Sequence, residues 1–393
     1  MTATSAAPAV AAPAAEPRPR LGVVAATHPL TVGAAHFNDA MVRALRRRTE
    51  VEFVSWRRMY PPLLYGGSER DERSRPTSVE PAEFLLAWHE PWTWRRARNR
   101  LERSGVEAML LPWLHPVMAP PYRWLLRHAP RSARRVVICH NVLPHEGMRG
   151  ARALTRATLR HADLLVTHAP QQRAELAELG LGGRPLLELF HPRFVAEDLA
   201  PQPDPRAVRL ERARFGHPGL LLLCFGAVRP YKGVDVALAA LAMVDPALRA
   251  VLVVAGRFWE GRARYRALAN ELGLGGRVEL RDGYVSDHDA AVLLTAADAV
   301  LLPYRSATQS GVAQLAFAYG RPVVATAVGG LSTAVEHGRT GLLVEPGNAF
   351  ALARAIERLA SDRDRLARGV VAAGAQTSFD RYAAALVEAV AGG

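Results

Sequence analysis

"LLLLCFGAVRPYKGVDVALAALAMV", residues 220–244, changes its periodicity midway. "LLLLCFG" is a short, continuous apolar run, as in a strand covered on both faces. "VDVALAALAMV" continues as a helix, and the turn between them, "AVRPYKG", carries the breakers Pro230 and Gly233. Strand, loop and helix in that order are the start of a parallel α/β unit.

The same alternation extends in both directions. Apolar runs recur at 250–256, 277–283, 299–304 and 321–326 in the second half, and at 20–27, 51–56, 107–113, 134–140 and 162–168 in the first. Helix-period stretches such as 34–48 and 150–161 separate them. Such alternation means parallel sheets with helices on both faces, and it occurs twice. Between the halves, 196–218 is rich in Pro, Asp and Arg with little apolar period. The expected organisation is a tail at 1–19, a first domain at 20–198, a linker at 199–218, a second domain at 219–374, and a final segment at 375–393. Two doubly wound domains facing across a cleft suit a two-substrate enzyme, with ligands at the C-terminal ends of the strands.

A chain of 393 residues is long for one core, and 49% apolar with 22% charged residues is ordinary for a globular protein. Cys139 and Cys224 both lie in strand-like runs. Two buried thiols suit a reducing cytoplasm rather than a disulfide framework or a zinc site. No apolar run reaches the ~18 residues of a membrane span. The Ala/Pro-rich stretch 1–20 has neither a basic leader nor a strongly apolar centre, so it is expected to be a disordered tail.

The net charge of +13 fits an Arg-rich composition or attraction to anionic partners. Nucleic acid is the weakest reading, because basic helix repeats, zinc motifs and RNA-binding aromatic signatures are absent. Basic clusters at 45–48, 95–103 and 131–135 all lie in the first half, and Trp88, Trp92, Trp94, Trp113 and Trp124 fall nearby. Those tryptophans suit a sugar platform, a membrane-facing surface or a core.

Lys232 is the only lysine; the other 49 of the 50 basic residues are arginines. It stands with Arg229 in the loop before a helix N-terminus, where backbone amides favour an anion. Arg offers a planar fork and Lys a compact point charge. A second anion site is expected at the helix start Thr308, Gln309, Ser310 and Gly311, where Ser and Thr also serve as caps. "DHD" at 287–289 has the form of a metal-holding Asp-x-Asp; its position after a strand and before a helix makes Asp287 an expected N-cap instead, with no metal site.

The stretches "VGAAHFNDAMVRAL", "VSWRRMYPPLLYGG", "ICHNVLPHE", "FGAVRPYKG", "YRSATQSGVAQLAFAYGRPVVAT" and "VGGLSTAVEHGRTGLLVEPGN" together resemble the retaining family-4 glycosyltransferases, over nearly all of residues 20–391. The resemblance implies the GT-B fold, two Rossmann-like domains with a C-terminal helix crossing back onto the first. It implies that Arg229 and Lys232 grip the diphosphate of a nucleotide sugar, that Gly33 lies near it, and that His140 stands beside the donor sugar. Tyr284, Val285, Thr308, Gln309, Ser310, Gly311 and Gln314 complete the implied donor-binding set. The implied reaction keeps the anomeric configuration and needs neither cofactor nor metal.

The family's paired glutamates, eight positions apart, are missing. Gln314 stands at the second place, or Leu315 if no gap is allowed, and the first falls near 307–309. "GGLST" replaces the usual Gly-Gly-Leu-Pro-Glu, leaving Ser332 and Thr333. The expected acceptor is a glycolipid or lipid-linked saccharide met at an anionic inner membrane face, with a soluble natural product as the alternative. A sugar-nucleotide 2-epimerase would need cleft carboxylates, of which no convincing set is found. A non-catalytic nucleotide-sugar-binding protein fits the missing glutamates but not the intact Arg229/Lys232 loop.

Overall fold

The computed structural model describes residues 19–30, 34–61, 79–144, 148–194, 196–199, 202–307, 310–374 and 377–392. Most of the expected tail, together with Gly33, Thr308 and Gln309, lies outside the described residues.

The first sheet contains β1 (Leu21–Val24), β2 (Val51–Arg58), β3 (Glu83–Ala87), β4 (Ala108–Trp113), β5 (Arg134–Cys139), β6 (Leu164–Thr167) and β7 (Leu186–Glu188). Their spatial order is β3-β2-β1-β4-β5-β6-β7, all parallel. The second contains β8 (Leu220–Phe225), β9 (Ala250–Gly256), β10 (Val278–Asp282), β11 (Ala299–Leu302), β12 (Val323–Thr326) and β13 (Gly341–Val344). Its order is β10-β9-β8-β11-β12-β13, again all parallel. Each sheet grows outward from its first strand, returns, and grows the other way, so each has a switch point: β1/β4 in one, β8/β11 in the other. Side chains at β4 and β9 are buried throughout, as strands covered on both faces require.

Three strands were not singled out from the sequence: β3, β7 and β13. All three are sheet edges. An edge strand has fewer neighbours to cover it, and β3 and β7 are accordingly only partly buried, so neither needs a long apolar run.

The stretch expected as a linker contains a helix, Pro205–Ala213, with Asp204 accepting from the Arg206 amide at 2.8 Å. Its Arg212 donates to Ala296 O at 2.7 Å and pairs with Asp298, while Glu211 pairs with Arg281. This helix is therefore docked against the second domain. Its contacts are mostly ionic, which is why apolar periodicity did not show it.

The last helix, Phe379–Ala391, buries Phe379, Tyr382, Ala383, Leu386 and Val390 in one cluster with Leu21, Val23, Phe37, Met41 and Leu45 of the first domain. Each large apolar side chain so buried contributes about 1.5–3 kcal/mol. Asp380 pairs with Arg47 at 2.7 Å, and the Ala389 carbonyl accepts from Arg134. Leu315, Ala318 and Tyr319 of the second domain pack against that same cluster, so the two domains meet directly.

Candidate active site

The loop after β8 begins as an extension of the sheet. Gly226 N donates to Ala255 O at 2.9 Å and Val228 N to Arg257 O at 2.7 Å. A single 3-10 turn, Pro230–Lys232, follows. Gly233 ends it at φ +64°, and a Cβ there would stand 2.0 Å from Pro303 O, so only glycine fits. The helix Val234–Met243 then starts, and Asp235 in its first turn pairs with Arg305 at 2.6 Å. That ion pair ties this loop to the one after β11, across the switch point.

Lys232 is turned inward. Its Nζ is 3.5 Å from Phe225 O and 5.4 Å from the Tyr304 ring centroid. No carboxylate lies within ion-pair distance of it among the described residues. Burial lowers its pKa, and the Arg229 charge acts in the same direction, while Tyr231 and Cys224 act against it. An anion at this place would relieve both effects. A Cβ on Gly226 would be 3.3 Å from Lys232 Nζ and 3.5 Å from Val312, so the ammonium lies near the first turn of the helix Gly311–Ala318. Arg229 lies with its guanidinium carbon 3.9 Å from the centroid of the Trp259 ring.

At that helix start, Ser310 is the N-cap and accepts from Ala313 N at 3.3 Å. It also bonds the Tyr304 hydroxyl, whose pKa burial pushes well up. The space a Cβ on Gly311 would enter is open. Gln314, one turn on, is only 3% exposed, and its Oε1 has no hydrogen-bond partner among the described residues. A buried amide oxygen left so is costly unless a ligand donates to it.

His140 follows β5 in the facing domain. Its backbone is satisfied, N–H to Trp113 O at 3.0 Å and carbonyl to Gln172 Nε2 at 2.9 Å. Its ring is held edge-on by Phe37 at 4.5 Å, and its Nε2 has no partner among the described residues. Burial, with a smaller contribution from His191, pushes its pKa down to about 3, so the imidazole is neutral. His168 and His191 pack around the same Phe37 ring, and His168 Nε2 meets the Tyr382 hydroxyl at 2.9 Å.

Asp287 is not the N-cap expected of it. Ser286 caps the helix Asp287–Ala296 by accepting from Asp289 N, and its hydroxyl donates back to the Asp289 carboxylate at 2.8 Å. Asp287, the next residue, meets His36 of the first domain. Among the described residues no cluster of three or more His, Cys, Asp or Glu side chains is arranged to hold a metal. Tyr284 is exposed and Val285 packs on the second core, both just beyond β10.

The structure thus gathers Arg229, Lys232, Tyr304, Ser310, Gly311 and Gln314 at the β8/β11 switch point, with Tyr284 and Val285 two strands away and His140 in the other domain. Sequence reasoning missed Trp259, His36 and the pair His168/His191. Trp259 had one visible signal: it lies far from the cluster holding most tryptophans.

Two parallel doubly wound sheets with a C-terminal helix returning to the first domain define a GT-B protein. The fold is that of sucrose-phosphate synthase from Thermosynechococcus elongatus (TM-score 0.69, 20% identity, 94% of this chain and 98% of that one). It is also that of Anabaena HepE in complex with UDP-glucose (TM-score 0.71, 17% identity, 94% and 100%). Residues 219–362 match the family model "Glycosyl transferases group 1". It is 35% identical over 229 residues to a D-inositol 3-phosphate glycosyltransferase of Nocardioides sp., covering 53% of this chain and 49% of that protein. Over 217 residues it is 38% identical to the protein of the same name from Nocardia farcinica, covering 53% and 47%. The chain thus spans about half the length of the curated relatives it matches.

Proposed function

We propose that this protein is a retaining, metal-independent glycosyltransferase that moves a hexose-type sugar from a nucleotide diphosphate sugar to an acceptor hydroxyl. The observation that carries the reading is the Arg229/Lys232 loop over the end of β8, inside the segment that matches the family model. Solved neighbours of the same fold hold UDP, UDP-glucose or ADP, which supports a nucleotide-sugar donor.

Charge develops on the diphosphate as the sugar departs. Arg229, Lys232 and the amides at Gly311 meet that charge with fixed cations and dipoles, and removing one such contact typically costs about 2.7–4 kcal/mol of barrier. The departing β-phosphate takes the acceptor proton on the face from which it leaves. His140, neutral and with Nε2 available, donates to or accepts from a hydroxyl of the donor sugar. Gln314 supplies an uncharged contact where the pattern of the resembled family has a glutamate. Gly33, Thr308, Gln309, Tyr284 and Val285 remain assigned to the donor.

The acceptor we favour is lipid-linked and presented at an anionic membrane, at the cytoplasmic face. On the helix Pro91–Arg103, Trp92 is 62% exposed, and Arg95, Arg96 and Arg103 are exposed with no ion-pair partner among the described residues. Among the described residues no helix is long and apolar enough to cross a membrane, and the contact we propose is peripheral. A second reading, a soluble phosphorylated polyol acceptor, is favoured by the name shared by the relatives, D-inositol 3-phosphate glycosyltransferase. Nucleotide release from a panel of nucleotide sugars should appear on adding either an anionic membrane extract or D-inositol 3-phosphate, and the active addition identifies the acceptor class. No binding of any nucleotide sugar would end the reading.

A further inference from the structure

We infer that Trp259 is a positioning residue for Arg229, presenting its guanidinium to the donor diphosphate; this rests on the nucleotide-sugar reading above. The two residues are brought together by the sheet. The β8/β9 pairing continues beyond both strands, through Gly226 N to Ala255 O and Val228 N to Arg257 O. Trp259 N then returns to Val228 O at 3.1 Å. The two loops touch so closely that a Cβ on Gly256 would stand 2.0 Å from Gly226 O. Phe258 anchors the second loop: its ring is buried edge-on to Tyr265 and its N–H donates to Asp282 Oδ1 at 3.1 Å. The backbone that carries the indole is therefore held in place.

Trp259 itself is 41% exposed and joins no core cluster, so packing does not account for it. Its ring lies under the guanidinium of Arg229 at 3.9 Å. An aromatic face attracts the cation through its quadrupole and holds the guanidinium plane without occupying its N–H donors. Pre-orienting a long, rotamer-rich side chain lowers the ordering cost at the moment of binding.

The test is a double-mutant cycle on affinity for UDP, GDP, ADP and inorganic pyrophosphate, measured by calorimetry on the full chain. The wild type must bind at least one nucleoside diphosphate; if it binds none, the donor reading falls and this inference with it. Trp259→Ala should weaken binding of that nucleotide and of pyrophosphate by about threefold to tenfold. Trp259→Phe should restore most of the loss. In the Arg229→Ala background Trp259→Ala should cost nothing further. In turnover, donor KM should rise with kcat little changed. An equal loss with and without Arg229, or a loss for nucleotides but not for pyrophosphate, would mean that the indole acts on the base directly, and the inference would be wrong.

Discussion

His36 of the first domain and Asp287 of the second are joined across the cleft, His36 Nε2 lying 3.1 Å from Asp287 Oδ1. Neither is highly exposed. Burial lowers the pKa of the imidazole, but the hydrogen bond and charge of Asp287, with the charge of Asp39, outweigh it, so His36 titrates above its ordinary 6.5. A raised folded-state pKa gives stabilisation that is complete below the unfolded value and lost as pH rises through the folded one. Asp39, pushed up to about 6 by burial, has the same sign, but its contribution is already lost by about pH 6 and does not add to the alkaline change. The domains should therefore be held closest on the acid side of neutrality and loosen toward alkaline pH. The radius of gyration from small-angle scattering should grow as pH rises from 6.5 into the alkaline range. In Asp287→Asn that growth should disappear; a pH dependence unchanged in the variant would show that the contact does not hold the domains.

The buried histidines around Phe37 work in the opposite sense. Burial pushes His140 down to about 3 and His191 down to about 4, and holds His168 well below its usual value. Their stabilisation is present above the unfolded value of 6.5 and lost as pH falls from there toward the folded values. Each then contributes a slope of up to about 1.4 kcal/mol per pH unit. Thermal midpoints should drop steeply below about pH 6. His191→Phe should flatten the drop.

Lys232→Ala should cost about 10²–10³ in turnover with the thermal midpoint nearly unchanged. Lys232→Arg should also be poor. The ammonium sits between the Phe225 carbonyl and the Tyr304 ring, beneath Gly226, and a planar guanidinium neither fits that space nor acts as a point charge. Wild-type turnover by Lys232→Arg would sink this role.

Chelation should leave transfer unchanged. Asp287 is engaged by His36 and Asp289 by Ser286, and in the proposed reading Arg229 and Lys232 meet the diphosphate. Activity lost to EDTA and restored by magnesium or manganese would overturn the assignment of both aspartates.

Vesicle binding should depend on Arg95, Arg96 and Arg103 rather than on every arginine of their helix. Arg98 is paired with Glu102, and Arg100 with Glu52 and Glu83. Each cation near an anionic surface contributes about 1 kcal/mol, falling off within a Debye length. Sedimentation with anionic vesicles at low salt should be released at high salt and weakened by the triple change to Gln. Absence of binding at low salt would turn the acceptor assignment to the soluble class.

The alternation of apolar runs in "LLLLCFG", "AVLVVAG" and "RRVVICH" was enough to determine parallel α/β architecture, because interior strands of such sheets must be apolar on both faces. The loop "AVRPYKG" was legible for a related reason: backbone geometry demands Gly233, and a chain that otherwise writes its cations as arginine places its lone lysine beside it. What only the tertiary structure decided depends on contacts between distant residues. The edge strands β3, β7 and β13 exist because a neighbour pairs with them, not because their own residues insist. The helix Pro205–Ala213 is held by Arg212 and Glu211 reaching partners more than sixty residues away. Asp287 looked like a cap because local spacing allowed it, but a serine one residue earlier took that place and left the carboxylate for His36. Trp259 and Arg229 carry no mutual signal in the chain; two loops extending adjacent strands put the ring under the cation. Local periodicity reports burial and backbone conformation, whereas side-chain chemistry across a cleft is fixed only once both domains are packed.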